Sequence, residues 1–461
     1  MMKKKFIDRK TEWKSLQEEY EKDRASFVIV YGRRRVGKST LLSEFCDGKK
    51  SIQFLAMEES ETLNREAFAK TVGAQLDISI LKEARFDRWE PIFLQIAEKI
   101  SAEEKLILVM DEFQYLGKSN PAFPSVFMKI WDEILKDKNI MVILCGSLIQ
   151  MMTAQTLNYG SPLYGRRTAQ IRMGQIPYMY YGEFVPEKSE DERMQMYAVT
   201  GGVPKYIELF DVKTDIYTAI EQNIINANAF LYYEPEFLLE KEVSEIGSYF
   251  SLLRVIALGA TKLSEISARL EVKQTSLSKY IKTLIELDIL ERQTPITEEN
   301  PEKSKMGQYR IKDNYIRFWF AYVYPNRGMI ETGHQEYAME RIRKHFIEGH
   351  MSYVYEDICR EKIWEYASEL PEFNRVGRWW NKNCEIDIVA YDSSGKDMIF
   401  GECKYTLQPK GMDVLAELKR KGKEVKRHIE DRKETYVLFS RAGYEKSLIE
   451  YANEHGEVLL K

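Results

Sequence analysis

Cysteine is scarce and scattered in this chain. Cys46, Cys145, Cys359, Cys384 and Cys403 form no CxxC pair and have no histidine spaced as a partner. That excludes a zinc site and a disulfide framework, and it fits a reduced compartment. Histidine is just as rare, and none of the five pairs with a carboxylate in a catalytic pattern. Long apolar runs are missing too. The longest, such as "LILVM" and "MVILC", have the length of a strand, not of a membrane span. The start "MMKKKFIDRK" is basic, but no apolar core follows it, so it does not read as a secretion signal. There is no internal repeat and no excess of one charge. A net charge of -4 excludes a basic nucleic-acid coat while leaving room for a local basic face. A cytoplasmic protein without membrane contact is expected.

What is present points to several folded cores. Hydrophobic residues at 44% and aromatics at 12% exclude a mostly disordered chain. At about 150 residues per domain, 461 residues predict two to four domains. Over the first 200 residues, "SFVIVYG", "SIQFLAM", "KLILVMDE" and "IMVILCGS" read as strands separated by helical patterns. This alternation predicts an α/β fold with a mostly parallel sheet and flanking helices. Helical spacing runs from Arg193 to Phe250. The polar "TPITEENPEKSKMGQ" reads as a loop or wing tip, "YPNRGMIETGHQE" as a linker. The last 110 residues begin with a long helical stretch and continue with the strands "EIDIVAYD", "MIFGECKY" and "ETYVLFS".

"VIVYGRRRVGKST" carries the strongest chemistry. Gly32, Gly37, Lys38 and Ser39 fit G-x-x-x-x-G-K-[ST], with β-branched residues before and a helix pattern after. In such a loop the backbone N–H groups close around phosphates and the helix start adds partial positive charge. The candidate nucleotide-binding set is Gly32, Arg33, Arg34, Arg35, Val36, Gly37, Lys38, Ser39 and Thr40. Lys38 is expected to reach the β- and γ-phosphates of ATP, and Ser39 to ligate Mg²⁺. Asp111 ends a predicted buried strand and is the second candidate for the metal. Glu112 beside it is the candidate general base for hydrolysis. Ser147 ends another strand, either as a γ-phosphate sensor or as an ordinary strand-end serine. Arg166 and Arg167 are open to two readings, an arginine finger in trans or in cis, or a solvated basic turn. A homo-oligomer is compatible with the first.

The phosphate loop with its three arginines, "MDEFQYL", "LCGSLIQMM" and "GGVPKY" together resemble the archaeal-type ATPase family, AAA-related and allied to the STAND signalling ATPases. In that family the start reads like F-x-G-R-x-x-E, and "FIDRKTEW" keeps Phe6, Arg9 and Glu12, with Asp8 where glycine is usual. The resemblance implies ATP and Mg²⁺ as cofactors, and it implies that Pro204 lies near the adenine.

"TKLSEISARLEVKQTSLSKYIKTLIELDIL" looks like a winged helix-turn-helix. Leu277, Ile281, Leu284 and Ile285 share one face of its second helix. The opposite side carries Lys273, Gln274, Ser276, Lys279 and Lys282, which suit phosphates and base edges. The module either contacts DNA or packs internally as a lever.

Near the end, Glu385 and Asp387 sit two apart on one strand and therefore face the same way. Glu402 and Lys404 repeat that spacing on the next strand, and Glu356 lies upstream on a helix. This order matches the metal-dependent nuclease set PD-(D/E)xK. In it Asp387 and Glu402 hold Mg²⁺, Lys404 helps activate water, and Glu356 assists. The segment also resembles the nuclease-like domain found behind archaeal-type ATPases, on "VGRWWNKNCEIDIVA" and "GECKY". Trp379, Trp380 and Arg378 either grip nucleic acid or pack internally.

The expected organisation is therefore a P-loop ATPase core over 1–195, a helical lid over 196–245 and a winged helix-turn-helix over 246–325. A linker over 326–350 and an α/β restriction-endonuclease-like domain over 351–461 complete it. The expected function is an ATP-hydrolysing switch coupled to a nuclease-like domain acting on DNA. The alternative is a STAND-type regulatory or scaffold ATPase whose tail binds nucleic acid or protein without cutting.

Overall fold

The computed structural model describes residues 6–210, 213–427 and 432–461. The chain divides into two compact units. One runs to Ile176 and takes back two short pieces, Val203–Lys205 and Glu240–Val243; the rest of the chain forms the other.

The first unit is built on five parallel strands, β1 (Ser26–Tyr31), β2 (Ser51–Leu55), β3 (Leu106–Asp111), β4 (Ile140–Gly146) and β5 (Ala169–Arg172), in the order β2-β3-β4-β1-β5. The central strands are apolar along nearly their whole length because both sheet faces are covered. Alternation then sorts them. Phe27, Ile29, Leu108 and Met110 join the aromatic core of Phe68, Trp89, Phe93 and Phe127 on one face. Val28, Val30, Ile107 and Val109 meet Leu16, Leu41 and Phe45 on the other. This is a P-loop NTPase-like α/β fold with a parallel sheet.

In the second unit, helices Leu263–Leu270 and Gln274–Glu286 precede an antiparallel pair, β6 (Leu290–Gln293) and β7 (Gln308–Ile311). The C-terminal sheet is mixed, in the order β12-β11-β10-β9-β8. Here β8 (Arg375–Trp380), β9 (Glu385–Tyr391) and β10 (Asp397–Lys404) are antiparallel neighbours, while β11 (Lys433–Ser440) and β12 (Val458–Leu460) run parallel to β10.

The stretch 326–350, expected as a linker, holds helices Arg327–Glu331 and Gln335–His345. Ala338, Met339, Ile342 and Phe346 are fully or nearly buried, a helical apolar stripe that the charged residues between them hide. Among the described residues no helix is long and apolar enough to cross a membrane.

Candidate functional site

The phosphate loop joins the end of β1 to helix Lys38–Cys46. Gly32 passes so close to the Met173 carbonyl that any Cβ there would collide with it. Gly37 holds φ 96°, a left-handed backbone that favours glycine. With the loop fixed, the buried Lys38 Nζ donates to the carbonyls of Gly32 and Arg33 at 2.8 and 2.9 Å. Burial lowers the proton affinity of this ammonium, against the pull of Glu112 and Asp111. Ser39 and Thr40 are exposed at the helix start.

Ser39 Oγ donates to Asp111 Oδ2 at 3.0 Å, so these two hard oxygen ligands converge at the loop mouth. They fit a magnesium ion, which favours oxygen donors. Asp111 Oδ1 accepts the Glu112 amide, and Glu112 itself is left-handed at φ 53°. That turn swings the Glu112 carboxylate back toward β4. There its Oε2 accepts from Ser147 Oγ at 2.7 Å, from the Ser147 amide at 3.3 Å and from Gln114 Nε2. Gln114 reaches Glu112 from two residues further along the chain, whereas Ser147 is brought there by the pairing of β3 with β4.

A second layer fixes the loop from behind. The buried Arg9 guanidinium donates to Val36 O at 2.8 Å and Gly174 O at 2.7 Å, and pairs with Glu12. Asp8 and Arg9 are both left-handed, at φ 59° and 71°. This explains why glycine suits the Asp8 position, and aspartate is among the few side chains that tolerate it. Arg34 donates to the Tyr115 hydroxyl at 2.9 Å. Pro204 opens helix Pro204–Glu208 and belongs to this unit, half-buried. Arg166 forks onto Asp132 at 2.7–3.1 Å, and Arg167 lies over the Tyr164 ring.

The family follows from comparison of the whole chain. An uncharacterized protein of Methanocaldococcus jannaschii is 35% identical over 87% of this chain and 87% of its own length. Residues 6–210 match the family described as "ATPase domain predominantly from Archaea". The chain belongs to that archaeal ATPase family. Its residues 319–438 match a second family, described as "Archaea bacterial proteins of unknown function". An uncharacterized ATP-binding protein of the same organism is 42% identical over 10% of this chain and 76% of its own. Among solved structures, the Walker-type ATPase of Pyrococcus abyssi aligns with a TM-score of 0.53 at 20% identity, over 68% of this chain and 96% of that one. Its likeness bears on the fold. This archaeal ATPase thus binds nucleotide and hydrolyses ATP.

The C-terminal set of the archaeal ATPase lies in the second unit. Asp387 on β9 and Glu402 on β10 face each other one rung beyond the Gly401–Ile388 pair, and Asp387 Oδ2 accepts the Cys403 amide at 2.8 Å. Both carboxylates are buried, at 7% and 6% exposure. Burial above all, then the Glu356 and Glu402 carboxylates, push Asp387 up to about 7. Each neighbouring acid has a cation from the chain itself. Glu402 pairs with Lys404 at 2.6 Å and Lys421 at 3.1 Å, Glu356 with Arg378 at 3.6 Å, and Glu385 with Arg378 at 3.1 Å. Arg360 donates to the Asp387 carbonyl at 3.1 Å. Among the described residues, no group of three or more His, Cys, Asp or Glu side chains is placed to hold a metal ion. As arranged, the acids are compensated by lysine and arginine side chains of the same chain. Trp379 and Trp380 are packed, the latter donating to Met306 O.

Proposed function

We propose that the chain is an ATP-driven switch whose second unit contacts DNA through a winged helix. The observation that carries the catalytic half is the pairing of Ser39 with Asp111 and of Glu112 with Ser147 at the loop mouth. Lys38 and the loop amides hold the phosphates, and Ser39 and Asp111 would hold Mg²⁺, which supplies charge neutralisation at the β- and γ-phosphate oxygens. Glu112, once released by Ser147 and Gln114, orients water and takes its proton. Pro204 borders the base.

For the DNA half, the support is a helix face. Lys273, Gln274, Ser276, Lys279 and Lys282 are all exposed. A cleft of about 760 Å³ opens beside the helix start, lined among others by Lys262, Gln274, Lys305, Asn381 and Lys382. Changing Lys273, Lys279 and Lys282 to alanine should weaken duplex binding and flatten its salt dependence by about 0.9 in log–log slope per lost phosphate contact. An unchanged slope in a salt titration assigns this helix to an internal role instead.

A second reading makes the C-terminal set a nuclease, with Asp387 and Glu402 as metal ligands, Lys404 beside the reacting phosphate and Glu356 in support. The juxtaposition of Asp387, Glu402 and Lys404 on one sheet face favours it; the ion pairing favours a tail that binds without cutting. The two separate on plasmid and single-stranded DNA with Mg²⁺ or Mn²⁺. Cleavage by the parent that falls to background in Asp387→Ala supports the nuclease. No cleavage by either leaves the binding tail.

A further inference from the structure

Between Leu239 and Ser244 the chain leaves the second unit and returns to the first for four residues, Glu240–Val243. Two side chains fasten this return. Lys241 pairs with Glu58 at 3.3 Å, and Glu58 also pairs with Lys118 at 2.5 Å. Glu242 Oε1 accepts the Ile149 amide at 3.1 Å, and the backbone of Gln150 bonds to the same carboxylate.

The position of that carboxylate is unusual. Its Oε2 is buried and makes no hydrogen bond. Burial raises the proton affinity of Glu242, and the positive groups opposing that rise are the Ile149 and Gln150 amides and the guanidinium groups of Arg33 and Arg34. Those two arginines belong to the phosphate loop, and Ile149 is two residues from Ser147, which holds Glu112. On its other side, Glu242 is four residues from helix Ile246–Ala257, which leads into the helix-turn-helix.

We propose that Glu242 is a positioning residue that senses the nucleotide: with ADP its carboxylate stays on Ile149 and Gln150, and with ATP it is displaced, releasing the segment that leads into helix Ile246–Ala257. The physical cause is competition for charge. A γ-phosphate in the loop draws Arg33 and Arg34 and repels a second anion near them. An anion half-stripped of water and deprived of its counter-charges is expensive to keep, so the carboxylate moves out to solvent. By linkage, whatever ATP does to this segment, holding the segment in place does in reverse to ATP affinity.

Hydrogen exchange on the full chain tests this with Mg²⁺ and either ADP or the β,γ-imido analogue of ATP. The parent should exchange the Ile149 and Gln150 amides about fivefold faster, or more, with the analogue than with ADP. Glu242→Gln keeps an oxygen for Ile149 but carries no charge. In this variant the nucleotide should no longer change the exchange, and affinity for the analogue relative to ADP should rise about fivefold. A purely structural role would leave that ratio untouched. Equal exchange in the parent with both nucleotides overturns the proposal without any variant, and so does a parental affinity ratio in Glu242→Gln.

Discussion

Glu112→Gln should slow ATP turnover by about 10²–10⁴-fold, the range in which a positioned general base contributes, while ATP stays bound. The amide keeps the size of the side chain and can still accept from Ser147, so the loop and the Ser39–Asp111 pair are undisturbed. What is lost is the ability to take a proton from water. Lys38→Ala should differ in kind, because it removes the buried ammonium that now spans Gly32 and Arg33. There binding itself should fail. Steady-state hydrolysis together with nucleotide titration separates the two. A Glu112→Gln protein that turns over like the parent removes Glu112 from the role of base.

Asp387→Asn should make the protein more stable above pH 7 and leave it unchanged below about pH 4. The carboxyl ionises near 3.8 in the unfolded chain and at about 7 in the folded one. A folded value raised in this way means that the protonated acid's stability is fully present below the unfolded value and is lost as pH rises through about 7. At about 1.4 kcal/mol per unit, the loss at pH 8 is on the order of 4 kcal/mol. Asparagine carries no charge at any pH and its oxygen can still accept the Cys403 amide, so the variant escapes the loss. Chemical denaturation at pH 4, 6 and 8 checks it. Adding Mn²⁺ at pH 8 divides the two readings of the tail: a metal site predicts that the parent regains stability and the variant does not.

The sequence made the nucleotide site legible because its demands are local. A left-handed glycine, a lysine and a hydroxyl must follow one another at fixed spacing, and the strand before them must be apolar on both faces. Even the aspartate at position 8 is informative, since φ 59° is a conformation that aspartate tolerates better than most residues. The remainder of the site depends on long-range placement. Ser147 meets Glu112 only because β3 and β4 are neighbours. In the tail, the two-residue spacing of Glu402 and Lys404 accompanies their ion pair at 2.6 Å. That spacing is silent on Arg378 and Lys421, which arrive from other elements to pair with Glu356, Glu385 and Glu402. Charge compensation of that kind has no periodicity to read.

The return of Val203–Lys205 and Glu240–Val243 to the first unit also bears on how the protein is made. Its five strands have all been synthesised once Arg172 is added, but the unit is not complete. Until Glu242 emerges, the Ile149 amide lacks its carboxylate partner and Glu58 lacks one of its two lysines. At about 5–20 residues per second, the nascent sheet waits several seconds or more for these closing contacts. A gene fragment stopped at Ile176 would encode every strand of the sheet and yet a protein permanently held at that unfinished stage, without the Lys241 and Glu242 contacts.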